Sequence, residues 1–504
     1  MKNIAIILLE PENIRMVLAH VQTDKYFVIY DEIEETIKLA SDLERDGIIK
    51  PNQISSALKI LKTYKKLCEK QNINEIYAYA LNFVNEAKNQ RSFIEEIESA
   101  CSLQFTIIDH NEQIEAMYLA VTNSIDLSRG ILINIDNNET HIIRYNRRNI
   151  IDRFILPYGA MNLAELFISY STDPEKCCEE MTNFIYERLG ETKFFEPTEE
   201  EFNLVGIGKV FSMLTKLSKK VKKYSIDLDH NYLMNQNDFK NVFDIIKVLD
   251  IDKTKKLKGI SEERADMLAS GLCIIRGILK LLPENNIIYS ACGLQEGLIY
   301  KVLADNTEEK SLADLLTTSL KSITSFYNVS KQNGEKVAEI SNLVFRQLKV
   351  LHKLSRPYLR ALKIASYLYA CGESVCLSNL NKSSAFIVLN SNIYGASHKE
   401  IVLASFILSS LNGNEFNLAE WVKYKDVFVD ADLEAMKRLA VILKIAIGLD
   451  LTQNGNITDI ICDVLGDSVI MKTTANCDIS FEIKHALRSS IDFKKAFGKY
   501  LEIL

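Results

Sequence analysis

Twice along this chain, three strand-forming runs are followed by a helix-forming one. The first set covers residues 4–9, 14–20 and 25–30, with a charged amphipathic helix over about 54–71. The second covers 131–135, 140–145 and 149–156, with a helix from near Ala160. Between the sets, 75–80 and 105–108 read as strands, and 89–100 and 111–121 as helices. Strands and helices alternating in this way predict a layered α/β architecture. The two sets share negligible sequence identity, so the repeat is one of shape.

From Leu204 onward helical periodicity dominates, interrupted by a short apolar strand over 287–291. The composition turns polar around 305–311, which suggests a domain boundary. Helical patterns then fill 319–327, 335–349, 358–369, 399–411 and 431–447. The tail over 459–470 and 478–483 alternates like two strands, and a final helix is expected over 493–501. The expected division is two α/β subdomains, 1–125 and 126–305, and a helical carboxy-terminal domain, 306–504, with a small terminal α+β portion.

A length of 504 residues leaves ample apolar content for several cores. The net charge of −7 argues against a broad, sequence-specific nucleic-acid face. Ten cysteines contain no C-x-x-C pair, which fits free thiols in a reducing cytoplasm and no zinc site. The amino-terminal apolar stretch is too short for a secretory signal and is cut by Glu10-Pro11. No uncharged run reaches the roughly 20 residues of a membrane helix. The seven histidines are scattered, with His110 and His141 each beside a polar turn, and no metal ligand is assigned from spacing.

Six segments carry a resemblance. They are Ile76-Tyr77-Ala78-Tyr79-Ala80 with Asn85-Glu86-Ala87-Lys88-Asn89, Ile108-Asp109-His110-Asn111-Glu112-Gln113, Leu156-Pro157-Tyr158-Gly159-Ala160, Gly259 through Asp266, Gly293-Leu294-Gln295-Glu296-Gly297, and Gly395 through Glu400. In this order they resemble the Ppx/GppA family of exopolyphosphatases and guanosine-pentaphosphate phosphohydrolases. The resemblance implies an actin-like ATPase (ribonuclease H-like) two-domain core followed by a helical, HD-like domain. It also implies hydrolysis of terminal phosphoanhydride bonds with Mg²⁺, and it places Glu112 at the family's general base.

The departures from that family fall on its chemistry. Its first phosphate-binding turn, glycine- and serine-rich, reads Glu10, Pro11, Glu12 and Asn13 here. Its second, a glycine run, reads Asp136, Asn137, Asn138 and Glu139. Two family arginines are replaced by Asn85 and Gln295, and the helical domain's metal-binding segment reads Leu368-Tyr369-Ala370-Cys371-Gly372. A phosphate needs free peptide N–H groups and no neighbouring negative charge. Proline removes one donor outright. A carboxylate about 4 Å from a phosphate charge costs about 1 kcal/mol in water and several at an effective dielectric near 20. Each turn reads either as an ordinary hairpin turn or as a re-purposed acidic site. In the second case Asp136 and Glu139, gathered with Glu10, Glu12 and Glu112, would hold a divalent cation through oxygen ligands.

The expected function is a pseudoenzyme with a regulatory role, binding a second copy, a family paralogue or another protein. Two alternatives stand beside it. One is a weak metal-dependent phosphohydrolase working through Glu112. The other is a sensor of polyphosphate or of guanosine penta- or tetraphosphate, binding through Lys219, Lys220, Lys222 and Lys223. A charge run on an amphipathic helix is usually a solvated face.

Overall fold

Ile4 to Leu9 are buried without a break, as expected of a strand covered on both faces. In the computed structural model they lie in β1 (Lys2–Leu9), the middle of a five-stranded sheet. Its companions are β2 (Asn13–Val21), β3 (Phe27–Thr36), β4 (Glu75–Leu81) and β5 (Phe105–Ile108), in the order β3-β2-β1-β4-β5. The strands on the β2 side are an antiparallel meander, and those on the β4 side run parallel to β1. Parallel neighbours need crossover connections. These are supplied by α1 (Pro51–Lys70) before β4 and α2 (Gln90–Cys101) before β5. The buried stripe of α1 is Ile54, Ala57, Leu61, Tyr64 and Cys68, and the Tyr64 hydroxyl donates to the Ile14 carbonyl at 3.1 Å.

The second sheet repeats this plan. It comprises β6 (Arg129–Ile135), β7 (Thr140–Asn146), β8 (Asn149–Leu156), β9 (Asn203–Ile207), β10 (Tyr232–Met234) and β11 (Ile287–Tyr289), in the order β10-β11-β9-β6-β7-β8. Here β6 takes the place of β1, with an antiparallel meander on one side and parallel β9 and β11 on the other. Its helices include α3 (His110–Thr122), α4 (Ala160–Ile168), α5 (Pro174–Gly190), α6 (Gly208–Lys222), α7 (Leu268–Leu281) and α8 (Leu294–Ala304). A Cβ on Gly297 would sit 1.9 Å from the Ala116 carbonyl oxygen, so only glycine lets α8 approach the α3 backbone this closely.

Residues 1–222 and 229–313 form one unit, and residues 223–228 and 314–504 a second. The second unit packs α9 (Leu315–Phe326), α10 (Lys331–Gln347), α11 (Arg356–Leu368), α12 (Leu380–Asn390), α13 (His398–Ser409) and α14 (Asp430–Leu449) around Leu320, Val337, Leu362, Ile407 and Leu443. It ends in a sheet of β12 (Ile457–Val464), β13 (Ser468–Ala475) and β14 (Tyr500–Ile503), with α15 (Ser480–Ala486) and α16 (Ser490–Phe497) between β13 and β14.

Several elements differ from the sequence reading. β3 continues through its acidic residues to Thr36, because it is an edge strand whose glutamates face a partner: Arg15 stands opposite Glu34 in the register. Residues 478–483 open a helix, with the Asp478 carboxylate accepting from the Ser480 amide at 3.0 Å. The last helix stops at Phe497, where Gly498 adopts φ 70°, and the chain finishes as β14. α12 escaped the periodicity because its buried face includes Asn381 and Ser384. The structure describes all residues except 1, 23–26, 147–148, 169–172, 197–201, 258–259, 261–264, 266, 283–284, 305–311, 328, 330 and 412–417. The polar stretch 305–311 and most of the Gly259–Asp266 segment therefore lie outside the described residues. No helix among the described residues is long and apolar enough to cross a membrane.

Candidate functional site

The β1–β2 turn is closed by its own backbone. The Glu10 amide donates to the Asn13 carbonyl at 2.9 Å, and Pro11 has no amide proton. The Glu12 carbonyl accepts from the Ile37 and Lys38 amides, and the Pro11 carbonyl from Ala40. Asn13 is buried, its side-chain oxygen accepting from the Thr36 hydroxyl at 3.1 Å. The Glu10 carboxylate turns to Arg15 at 3.1 Å. Arg15 also meets Glu34 at 3.3 Å, and Lys209 meets Glu34 at 3.0 Å. Burial raises the pKa of Glu10, and Asp136 and Glu34 push the same way against Arg15 and Lys209. An incoming phosphate would have to displace these internal pairs.

The β6–β7 turn is fastened to α4. The Asp136 amide donates to the Glu139 carbonyl at 3.0 Å. The Asp136 carbonyl accepts from the Ala160 amide, and the Asn137 carbonyl from the Met161 and Asn162 amides. The Asn162 side chain donates to the Asn138 carbonyl at 2.8 Å. The free amides at a helix start are the natural anion-binding groups, and here they serve the protein's own carbonyls. Gly159 permits the approach, since a Cβ there would lie 2.4 Å from the Asp136 carbonyl oxygen.

Glu112 holds the start of α3. One oxygen accepts from the Asp109 amide at 3.1 Å, while the Asp109 carboxylate accepts from the Glu112 amide at 2.8 Å, forming a capping box. The other oxygen pairs with Lys301 at 3.1 Å. Asn85 is exposed and bonded to Asn82 and Gln90, and Gln295 is buried with no partner for its amide nitrogen among the described residues. Lys219 and Lys222 are spent on Asp229 and Asp238, at 2.7 and 2.9 Å. Lys223 follows the end of α6 in a left-handed conformation and belongs to the other unit, so the four lysines do not form one helical stripe.

What sequence spacing missed is a gathering of His110, Glu139 and His141, one donor atom from each lying within 4.8 Å of the others. The Glu139 carboxylate is 2.8 Å from His141 Nε2 and 3.6 Å from His110 Nδ1; Asp136 is 3.9 Å from His141 Nε2. Burial alone would lower the pKa of His141, but the Glu139 hydrogen bond and the Asp136 charge outweigh it, and the pKa is raised. Burial likewise opposes ionisation of Glu139, and the two histidines reverse it, holding that carboxyl below its ordinary range. His141 is buried in β7, and His110 is the first residue of α3. Only the folded chain brings the two together.

A family model described as the Ppx/GppA phosphatase family matches residues 17–306, and one for domain III of the same family matches 317–488. A bifunctional 3-dehydroquinate synthase/phosphatase of Fusobacterium nucleatum is 22% identical over 290 residues, 55% of this chain and 43% of that protein. A guanosine-5'-triphosphate,3'-diphosphate pyrophosphatase of Aeromonas salmonicida is 28% identical over 164 residues, 32% of each. The chain thus matches less than half the length of these curated relatives. Among solved structures, the Aquifex aeolicus Ppx/GppA family member superimposes with TM-score 0.55 at 23% identity, covering 61% of this chain and 99% of that one. An exopolyphosphatase from Cytophaga hutchinsonii gives 0.53 at 20%, covering 60% and 98%. These likenesses extend the match from sequence to fold, and the chain belongs to the Ppx/GppA phosphatase family.

Proposed function

We propose that this member of the family is a non-hydrolytic, regulatory protein that binds another protein, a family paralogue or a second copy. The observation that carries the reading is that the Glu10 and Asp136 amides and the first amides of α4 are bonded to the protein's own carbonyls, with carboxylates beside both turns. Phosphoryl transfer depends mainly on positioning and on neutralising oxygen charge. Each amide withdrawn from a phosphate forfeits about 1–3 kcal/mol, and the positions of two family arginines are held by the uncharged Asn85 and Gln295. Glu112, with its oxygens on Asp109 and Lys301, is better placed to cap a helix than to accept a proton from water. The pairing of Lys219 and Lys222 with aspartates weighs against a polyanion sensor.

The test is phosphate release by the purified full chain from polyphosphate and from guanosine pentaphosphate, with Mg²⁺ or Mn²⁺. The expected result is no release above that of a heat-denatured sample. Release that is lost in Glu112→Gln would overturn the proposal.

A further inference from the structure

The cluster of His110, Glu139 and His141 goes beyond that reading and does not depend on it. Its donor set is two imidazoles and a carboxylate, whereas magnesium takes oxygen ligands and retains water. The Mg²⁺ implied by the family resemblance therefore does not fit these residues. Imidazole nitrogen with carboxylate oxygen suits zinc, manganese, iron or cobalt.

We propose that His110, Glu139 and His141 bind one divalent transition-metal ion, with Asp136 as the nearest additional oxygen donor. Metal bonds to nitrogen and oxygen of about 2.0–2.2 Å hold neighbouring donor atoms about 3–3.5 Å apart. The separations of 2.8 Å between Glu139 and His141 and 3.6 Å between His110 and Glu139 bracket that spacing. A plain imidazolium–carboxylate pair accounts for His141 and Glu139 but leaves His110 unexplained. Its Nδ1, shielded from solvent, has no hydrogen-bond partner among the described residues, although it faces the Glu139 oxygen. A metal gives that nitrogen a bond. His141 is fully buried, and a buried ion requires compensation. Glu139 and Asp136 together match a dication in charge.

The surroundings fit the same assignment at Asp136 and not at the second ring nitrogens. A ligating histidine usually donates its second ring N–H to an acceptor, which fixes the ring. His110 Nε2 lies 3.4 Å from the Asn82 amide nitrogen, the Asn82 carbonyl already accepts from Asn85 at 2.9 Å, and His141 Nδ1 has no hydrogen-bond partner among the described residues, so neither ring is fixed in this way. Asp136 is oriented by the Asn134 amide at 2.7 Å. His110 opens α3 directly after β5, while Glu139 and His141 lie on the β6–β7 hairpin. The ion would therefore join the helix that follows the last strand of the first sheet to the first hairpin of the second.

The experiment uses the full chain stripped with chelator and titrated calorimetrically with Zn²⁺, Co²⁺ and Mg²⁺, with no phosphate compound present. The expected result is one equivalent of Zn²⁺ or Co²⁺ bound far more tightly than Mg²⁺. The cobalt spectrum should show nitrogen and oxygen ligation without thiolate charge transfer, and Zn²⁺ should raise Tm. His110→Ala, at a position whose side chain is 38% exposed, should remain folded by circular dichroism. It should bind at least about tenfold more weakly and lose the Tm increase; His110→Gln serves as a second replacement. Failure of Zn²⁺ and Co²⁺ to bind, equal affinity in the folded His110 variants, equal affinity for Mg²⁺, or a thiolate cobalt spectrum would each overturn the proposal. None of these outcomes bears on phosphate release, so this inference and the non-hydrolytic reading fail separately.

Discussion

At the scale of single residues, the same side-chain types are set to different tasks by their partners. Asp432 is fully buried at the start of α14. Its carboxylate accepts from the Val429 amide at 2.7 Å and the Tyr358 hydroxyl at 2.6 Å, and pairs with Lys399 at 2.8 Å. Burial opposes its ionisation, but Lys399, Tyr358 and the amide outweigh burial and hold its pKa below the ordinary 3.8. A depressed carboxyl stabilises the fold above its unfolded pKa, and that contribution is lost as pH falls through the folded value. Asp432→Asn is expected to cost about 1–3 kcal/mol at neutral pH. The penalty should shrink below about pH 4, as measured by urea unfolding across a pH series. Gly159 makes a steric prediction. A Cβ meets backbone atoms of Asp136 and Asn137, which cannot swing away as a side-chain tip could. Gly159→Ala should cost about 1–3 kcal/mol of overpacking, read as a lowered urea midpoint with unchanged slope.

At the scale of elements, four of the family-like segments, at 108–113, 156–160, 293–297 and 395–400, turn out to be helix starts. The Gly395–Glu400 segment is a capping box for α13. Ser397 accepts from the Glu400 amide at 3.3 Å, and Glu400 accepts from the Ser397 amide at 2.8 Å. The other Glu400 oxygen holds Arg360 of α11 at 2.7 Å, so the cap also ties two helices together. Ser397→Ala should cost about 1 kcal/mol in chemical denaturation, the usual value of a lost cap. Glu400→Ala, which removes the reciprocal bond and leaves Arg360 without its carboxylate, should cost more than Ser397→Ala in the same assay. Asp109 and Glu112 form the same motif at α3, and there the carboxylate that the resemblance gives to catalysis is engaged in capping. Both boxes are local four-residue patterns, Ser397 with Glu400 and Asp109 with Glu112, which the sequence reading met only as family-like segments. The second partner of each glutamate, Arg360 or Lys301, was not legible in the sequence, because it arrives from a distant part of the chain.

At the scale of the whole molecule, the second unit is not one continuous stretch. Residues 223–228 belong to it, and Ile226 is buried in the same core as Leu320 and Ile407. Ile226→Ala should cost about 2–4 kcal/mol. In calorimetry with two resolved transitions, the loss should fall on the transition of residues 314–504. Nothing in the periodicity of 223–228 distinguishes it from a surface turn, so this assignment needed the fold. The two-sheet plan, by contrast, was already written in the chain, since strand and helix periods depend on neighbouring residues alone. So were the two acidic, glycine-free turns at 10–13 and 136–139. Which amides met the turn carbonyls, which cation met which carboxylate, and the meeting of His110 with Glu139 and His141 were decided only by tertiary structure. Those pairings join residues far apart in sequence, and local pattern carries no record of a contact that only packing creates.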